Sequence, residues 1–547
     1  MTMLARMGDK TRFNKGAVYA ALSRFRREED GSLIVFGLFC FIIMLLLAGV
    51  SLDVMRFEER RTILQATIDR AALASADLQQ TLDPKDVVKD YFRKAGLEPP
   101  ADDDIVVTEG SFGESRRVKI SASEQMPTWF MRMVGVNDLK APAASTAEES
   151  VGQIEISLIL DVSGSMGRNS RLVNLKPAAK NFVDQMFKSA EPGKISISIV
   201  PYSTQVSMDA ELASYFNLSG EHNSSRCIEF EDSLGDFSTT AVQFGNTVTD
   251  RTYQRNGHFD PFYRNSYTRL LNCIDQSYAE ILPFSGDSNA LKAKIDSLEA
   301  NGNTSIDIGM KWGAALLDPS MQDVVDGMIA DGSLPSEFSD RPYAFDDNQT
   351  LKIIVLMTDG QNTTEYRLED DFASGDSRLY TNTWYQANYP DSKNQYSYYD
   401  PNRSGNKYYS FRTDSWRSQP YGDASGDNGD AVRMTWPQVW NDMTIRYFSD
   451  DIVYDATNSS SQRNYFRNAP YNGYWSAKDS LTKSMCNAAK TQDVKIYSIA
   501  FEAPSSGQTL LRDCASSDAN YYNVAGLDIE SAFSGIANSI NKLRLTH

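Results

Sequence analysis

The sequence has few histidines and no paired cysteine motif. Only three histidines, His222, His258 and His547, occur in 547 residues, and none lies near a recognisable motif. General-base chemistry therefore lacks its commonest residue. No Cys-x-x-C occurs, so a zinc site or a thioredoxin-like motif is unsupported. Ser163 and Ser165 do not lie in a Gly-x-Ser-x-Gly nucleophile motif. We therefore expect a protein that is not an enzyme.

A basic patch is also lacking beyond the amino-terminal region. The formal net charge is -18, and no basic patch follows residue 60. Nucleic-acid binding needs a basic face to neutralise phosphates, so we expect no nucleic-acid partner. An apolar fraction of 41% is compatible with a folded core, and the length allows two or three domains.

One long stretch has no charge at all, from Gly31 to Leu52. A helix rises about 1.5 Å per residue, so this stretch covers a hydrocarbon core of roughly 30 Å. Basic residues precede it, which marks the cytoplasmic side: Arg6, Lys10, Arg12, Lys15, Arg24, Arg26 and Arg27. We predict a cytoplasmic segment over 1–30, one transmembrane helix over 31–52 in the inner membrane, and a periplasmic remainder. A cleaved signal peptide is the alternative, but its apolar core is usually only roughly 7 to 15 residues long.

The exported part contains an even number of cysteines, which suits an oxidising compartment. Cys40 lies in the predicted span, and the other four are Cys227, Cys273, Cys486 and Cys514. Four cysteines allow three pairings. We predict the nearest-neighbour pairing, Cys227 with Cys273 and Cys486 with Cys514.

The residues after the span favour a continuing helix. Arg56 to Ala76 contains no Gly or Pro, which predicts a helical stalk over 53–84. A single span followed by Leu64-Gln65, Asp69 and Ala71-Ala72-Leu73-Ala74 resembles the amino-terminal region of TadE/TadG-like proteins of Flp (tight adherence) pilus assembly. In type IV prepilins a Glu stands five residues after the Gly at which the precursor is processed. In this sequence the residue five positions after Gly31 is Phe36. The resemblance thus implies a permanently anchored assembly protein. A generic anchor with an alanine-rich helix is the alternative.

Residues 85–150 are predicted to form a small α+β region, with a helix near Val87 to Ala95 and strands at Ile105 to Thr108 and Arg117 to Ala122. From 151 to 547, strand and helix patterns alternate. This alternation is typical of an α/β domain with a doubly wound, mostly parallel sheet.

Two apolar runs of this domain end in polar residues. Ile154 to Leu160 is a nearly continuous apolar run, as in a strand buried on both faces, and Asp161 follows it. The run from Ile353 to Met357 ends in the same way at Thr358-Asp359-Gly360. Open α/β sheets place ligand sites beyond the carboxyl ends of their strands, so both ends are expected at one edge of the sheet.

Oxygen ligands cluster in these segments and in one helix start. Asp161-x-Ser163-x-Ser165, Thr304 and Asp359 supply two carboxylates and three hydroxyls, which suit a hard divalent cation. In this order they resemble the metal-ion-dependent adhesion site of von Willebrand factor A domains. The resemblance implies that the hydroxyls contact one ion, directly or through water, while the carboxylates balance its charge. We expect Mg²⁺, with Mn²⁺ or Ca²⁺ as alternatives, and a protein partner that adds a carboxylate. A Ser/Gly turn beside an ordinary acidic strand end is the other interpretation.

Two insertions are predicted in this domain, at about 205–285 and 361–477. The second contains 15 of the 27 tyrosines and five of the seven tryptophans, so we expect an ordered lobe rather than a linker. Its aromatics suit a partner-binding surface, a glycan-stacking surface or the lobe's own core. Within it, Thr435 is predicted to cap a helix that continues through Met443 and Tyr447.

A TadE/TadG-like anchor joined to a carboxyl-terminal von Willebrand A domain is the TadG arrangement. The predicted function is that of a membrane-anchored periplasmic assembly or adhesion protein of an Flp-type pilus, whose partner is a pilus-assembly component. A general envelope adhesion or chaperone-like module is the first alternative. An exported metal-dependent hydrolase is a distant second.

Overall fold

The computed structural model describes residues 30–77, 80, 82–109, 115–150, 152–188, 193–242, 251–347 and 349–544, and also 19, 23 and 24. The predicted cytoplasmic segment 1–30 therefore lies outside the described residues apart from a few positions. The chain divides into two compact units, Met1–Val151 and Gly152–His547.

The first unit combines a long helix with a small antiparallel sheet. Its elements are α1 Asp30–Ala76, α2 Pro84–Lys94, β1 Ile105–Glu109, β2 Ser115–Pro127 and β3 Asp138–Ser150. The strands are ordered β1-β2-β3, and β2 pairs with β3 along its whole length. Both predicted strands are present, and β2 is longer than predicted. Residues 141–147, which are all small or proline, lie within β3.

The two halves of α1 have different surroundings. In the carboxyl half, Leu64, Ile68 and Ala72 recur at helical spacing and are buried with Phe92 of α2 and Ile120 of β2. Within the segment predicted as a stalk over 53–84, α1 ends at Ala76, and one face of this part of α1 is packed. The amino half is apolar and exposed. Among the described helices, only α1 is long and apolar enough to cross a membrane.

The second unit alternates strands and helices. Its strands are β4 Gln153–Asp161, β5 Ile195–Tyr202, β6 Leu282–Ser285, β7 Thr350–Thr358, β8 Glu365–Leu368, β9 Asp376–Asn382, β10 Tyr396–Tyr399, β11 Tyr408–Ser410, β12 Ser415–Arg417, β13 Ala431–Thr435, β14 Tyr471–Tyr474, β15 Lys495–Phe501 and β16 Tyr521–Val524. Its α-helices are α3 Arg171–Lys188, α4 Ala210–Ser214, α5 Ser288–Ser297, α6 Ile306–Ala315, α7 Gln322–Ala330, α8 Asp370–Ala373, α9 Thr383–Asn388, α10 Trp436–Asp442, α11 Ile445–Tyr447, α12 Tyr454–Thr457, α13 Ser460–Asn468, α14 Lys478–Thr491, α15 Ser505–Cys514 and α16 Asp528–Arg544. A π-helix, Phe448–Val453, joins α11 to α12.

The main sheet has the order β16-β15-β7-β4-β5-β6, in which only the β5/β6 pair is antiparallel. Its central strand β4 is buried on both faces. Leu158 packs with residues of α3, α5 and α16, whereas Ile159 packs with residues of α6, α7, α14 and α15. This burial explains the continuous apolar run of β4. A mixed sheet with helices agrees with the predicted α/β class.

The second insertion has a sheet and a core of its own. Its antiparallel sheet is ordered β12-β11-β10-β9-β13, and β14 pairs with β8. Tyr398, Trp436 and Trp440 are among its buried core residues, whereas Trp384 and Trp475 are exposed. Part of the aromatic content thus serves the lobe's own packing, the third of the predicted roles.

The predicted helix after Thr435 is interrupted. Thr435 and Gln438 form the capping box of α10, as the cap prediction required, but α10 ends at Asp442. Met443 is extended, and the Thr444 hydroxyl accepts the Tyr447 N–H to begin a new helix. The prediction of one helix through Tyr447 was wrong because a second cap restarts the chain there.

Two disulfides lie in the second unit, Cys227–Cys273 and Cys486–Cys514, with Cα–Cα distances of 5.9 and 5.2 Å. They are the two pairs that the nearest-neighbour choice predicted. Cys40 is a free thiol. Each bridge closes a loop long enough to stabilise the fold by about 3 to 4 kcal/mol in the chain-entropy model.

Thiol titration is expected to find one reactive group per chain in unfolded, unreduced protein. That group is Cys40, because both pairs are oxidised, and reduction should raise the count to all five cysteines. The Cys40→Ser variant is the matched control and should give no signal before reduction. A second thiol in the unreduced wild type would remove one bridge from the structure.

Candidate metal site

The predicted ligands come together at one edge of the main sheet, here called the rim. Asp161 is the last residue of β4, and Thr358 is the last residue of β7. These strands are parallel neighbours, with Leu160 opposite Met357, so Asp161 and Asp359 emerge side by side. The rim thus arises from the register of two buried strands.

Asp161 is fully buried beneath the rim. One carboxylate oxygen accepts the backbone N–H of Ser163 at 2.7 Å, and the other accepts the Thr358 hydroxyl at 2.5 Å. Thr358 directly follows the second apolar run of the sequence, and no role was predicted for it there. Its hydroxyl fixes the orientation of the Asp161 carboxylate.

The two loop serines face each other and the second carboxylate. Ser163 Oγ lies 3.0 Å from Ser165 Oγ, and the Ser165 hydroxyl donates to Asp359 Oδ1 at 2.6 Å. Gly164 holds the serine loop against the loop that precedes α6, because the Gly164 N–H donates to the Gly302 carbonyl at 3.0 Å. The loop thus points both hydroxyls at the edge where Asp359 lies.

Thr304 joins the same place from the loop before α6. Its N–H donates to Thr363 Oγ1 at 2.8 Å, and the Thr363 N–H donates back to the Thr304 carbonyl at 2.9 Å. The Thr304 hydroxyl lies against Gly360, where an ideal Cβ would be 3.5 Å from it. All five predicted site residues are therefore close together, with four of them lining one cleft and Asp161 behind it.

This cleft has a volume of about 540 Å³ and includes two residues that sequence reasoning missed, Arg171 and Glu502. The Arg171 guanidinium donates to Asp359 Oδ2 at 2.5 Å and to Glu502 Oε2 at 2.9 Å. The hydrogen bond from Arg171 is the main cause that lowers the pKa of Glu502. Glu502 directly follows β15, so the rule that placed Asp161 and Asp359 would also have placed it at the rim.

The rim has more negative than positive charge. Three carboxylates, of Asp161, Asp359 and Glu502, face one guanidinium, that of Arg171. Burial, and then the charge of Asp359, raise the pKa of Asp161 to about 7. A cation at the rim would favour the ionised form of Asp161, so the charge balance and the hydroxyl oxygens fit a hard divalent ion. Within the described part of the chain, no group of three or more His, Cys, Asp or Glu side chains could hold a metal ion. An ion here would rest on two carboxylates and on neutral oxygens.

Sequence comparison bears on the amino-terminal region. Residues 31–78 match the family model described as "Putative Flp pilus-assembly TadE/G-like". The match begins at the apolar run, continues through the packed half of α1 and covers less than a tenth of the chain. A search of curated proteins finds no match.

The solved structures that this chain is similar to include pilus proteins, all at low identity and low TM-score. The von Willebrand factor domain of the type V pili tip protein Mfa5 of Porphyromonas gingivalis is 14% identical, with a TM-score of 0.31, over 72% of this chain and 97% of that one. The pilus adhesin RrgA of Streptococcus pneumoniae is 11% identical, with a TM-score of 0.29, over 80% and 48%. Proximal thread matrix protein 1 of the mussel byssus, with a zinc-occupied MIDAS motif, is 11% identical, with a TM-score of 0.25, over 71% and 46%. This chain thus spans less than half of the last two proteins.

Proposed function

We propose that this chain is a TadG-like, membrane-anchored assembly or adhesion protein of an Flp-type pilus system, which binds a protein partner through a metal-ion-dependent adhesion site. One observation supports this most directly. The same chain combines a TadE/G-like segment at 31–78 with a rim at which Asp161, Ser163, Ser165, Thr304 and Asp359 meet.

The apolar half of α1 and the basic residues that precede it in the sequence support the following arrangement in the cell. Its apolar half, residues 31–52, spans the inner membrane, residues 1–30 are cytoplasmic, and the remainder is periplasmic. Residues 53–84 and 85–150 form the membrane-proximal part. Residues 151–547 form a von Willebrand factor A domain with a doubly wound sheet and insertions at about 205–285 and 361–477. Both disulfides suit that compartment.

The proposed site divides its work between hydroxyls and carboxylates. Ser163, Ser165 and Thr304 face the cleft and would hold the ion, while Asp359 in the cleft and Asp161 behind it would balance its charge. When bound, Mg²⁺, or alternatively Mn²⁺ or Ca²⁺, would supply a position for one more oxygen, from an acidic side chain of a pilus-assembly partner. The protein is a binding module in this proposal and not an enzyme.

Deletion of the gene is expected to abolish surface Flp-type pili or the adhesion that depends on them. The wild-type chain should restore them. The Asp161→Asn chain should restore them only in part, because it keeps the fold but loses the ion. Electron microscopy and an adhesion assay measure both results. The Asp371→Asn chain, which removes the same charge from an exposed position, is the control and should restore fully. Normal piliation in a clean deletion would instead favour a general envelope adhesion module.

A further inference from the structure

The hairpin between β2 and β3 ends in an exposed apolar tip, residues 128–137, here called the hairpin tip. Four of its apolar side chains are exposed: Trp129 by 60%, Met133 by 73%, Val134 by 60% and Val136 by 36%. Arg132 is its one charged residue. Such a patch is unusual on a chain with a net charge of -18, and grouped exposed apolar side chains mark an interaction surface.

Three partly buried hydrogen bonds attach the hairpin tip to α1. The carboxylate of Asp53 accepts the backbone N–H groups of Trp129, Phe130 and Met131 at 3.0, 2.7 and 2.8 Å. Asp53 is fully buried and is the first charged residue after the apolar run. These three bonds fix the height of the tip along α1.

A close packing contact extends this attachment into the apolar run. The Phe130 ring lies directly on the helix backbone at Gly49, where an ideal Cβ would be 2.4 Å from the ring. Gly49 precedes Leu52, the end of the run, by three residues, which is about 4.5 Å along a helix. The tip therefore lies at the level where α1 would leave the hydrocarbon of a membrane.

We propose that the hairpin tip is a second membrane contact, with Trp129, Met133, Val134 and Val136 seated in the headgroup and upper acyl region of the bilayer that α1 spans. The tip contacts the exposed apolar half of α1 at Gly49, so one lipid phase would cover both. Trp is typical of that interfacial region.

Basic side chains border the apolar ones. The Arg56 guanidinium lies over the Trp129 ring, 3.7 Å from its centroid, and Arg132 is exposed within the tip. Long basic side chains reach lipid phosphates while their stems remain on apolar surface. The lipid that fits is thus a phospholipid bilayer surface with anionic headgroups. This inference rests on the proposed membrane anchor and is independent of the metal site.

The test places a fluorescent probe on the tip of the full-length protein. In a Cys40→Ser background with both disulfides intact, Val134→Cys is labelled with an environment-sensitive dye and reconstituted into phosphatidylcholine and phosphatidylglycerol vesicles. The matched control is Lys94→Cys, a label on an exposed residue of α2 in the same unit. Lipids with a nitroxide near the top of the acyl chain should quench the label at 134 at least about threefold more strongly than the label at 94, because interfacial groups lie only about 5 to 10 Å deep.

Iodide in the aqueous phase should instead quench the label at 94 more strongly than the label at 134. A second label at Met133→Cys keeps the test valid if Val134→Cys disturbs the tip. Equal lipid quenching at 94 and at both tip positions would overturn the proposal. Weak lipid quenching combined with disulfide cross-links between Val134→Cys copies would overturn it too, and would assign the tip to a second copy of this chain.

Discussion

Replacement of Asp161 by asparagine is expected to lower the affinity for Mg²⁺ and Mn²⁺ by at least about 100-fold, because a unit charge near the ion contributes about 4 kcal/mol at an effective dielectric of about 20. Asparagine has nearly the same shape. Its carbonyl can still accept the Ser163 N–H, and its amide can donate to the Thr358 hydroxyl. The substitution also removes a buried charge, so the free energy of unfolding should change little.

Isothermal titration calorimetry of the full-length protein in detergent measures this affinity directly. The Asp371→Asn variant removes one carboxylate from an exposed position and should bind as the wild type does. Thermal unfolding of all three chains separates lost binding from lost folding. If wild type and Asp161→Asn bind Mg²⁺ with the same affinity, and likewise Mn²⁺, the metal-site proposal fails, whatever the protein does at the membrane.

The rim could be predicted from the sequence because central parallel strands leave a strong signal. A strand buried on both faces must be apolar throughout, so the first polar residue after β4 or β7 marks its end. Residues at the carboxyl ends of neighbouring parallel strands lie at the same edge of the sheet, so no further information is needed to place them together. Thr304 was different, because no strand precedes it directly. Only its resemblance to a known ligand pattern placed it with Asp161 and Asp359.

The pairing of Arg171 with Glu502 could not be predicted in the same way, although the strand-end rule would place Glu502 at the rim. Arg171 and Glu502 are 331 residues apart, and their contact depends on how β15 lies beside β7. An acidic residue after a strand is also common on surfaces, so the position of Glu502 alone does not indicate a charge partner for the site. The restart of the helix at Thr444 was missed for a related reason. The pattern around Thr435 fixes where a helix begins, whereas its end depended on a second cap nearby.

The hairpin tip shows a further limit of sequence reasoning. Its apolar residues follow no clear period, and residues 85–150 gave no indication of function. The role proposed for these apolar residues depends on a long-range contact, the hydrogen bonds from the backbone of Trp129, Phe130 and Met131 to Asp53. That contact and the packing of Phe130 on Gly49 place the tip beside the end of the apolar run.

Replacement of Gly507 by alanine is expected to destabilise the second unit by about 3 kcal/mol, the upper part of the usual range for overpacking. An ideal Cβ at this position would lie 2.0 Å from the carbonyl oxygen of Gly360. That atom belongs to the backbone and cannot rotate away as a side chain does. Either α15 or the segment after Asp359 must move, so Mg²⁺ affinity should fall together with stability.

Gly535→Ala in α16 is the matched control, because both glycines lie in helices. Its ideal Cβ would lie 3.4 Å from Tyr522 Oη, an ordinary contact, so helix propensity should stabilise the chain by up to about 1 kcal/mol. Urea unfolding followed by circular dichroism measures the difference, and calorimetry measures Mg²⁺ binding. If Gly507→Ala had the same stability and the same Mg²⁺ affinity as Gly535→Ala, the close approach of α15 to Gly360 would be wrong. The expected pattern differs from that of Asp161→Asn, which should lose the ion and keep the fold. One substitution removes a charge from the site, and the other moves the backbone that positions Asp359.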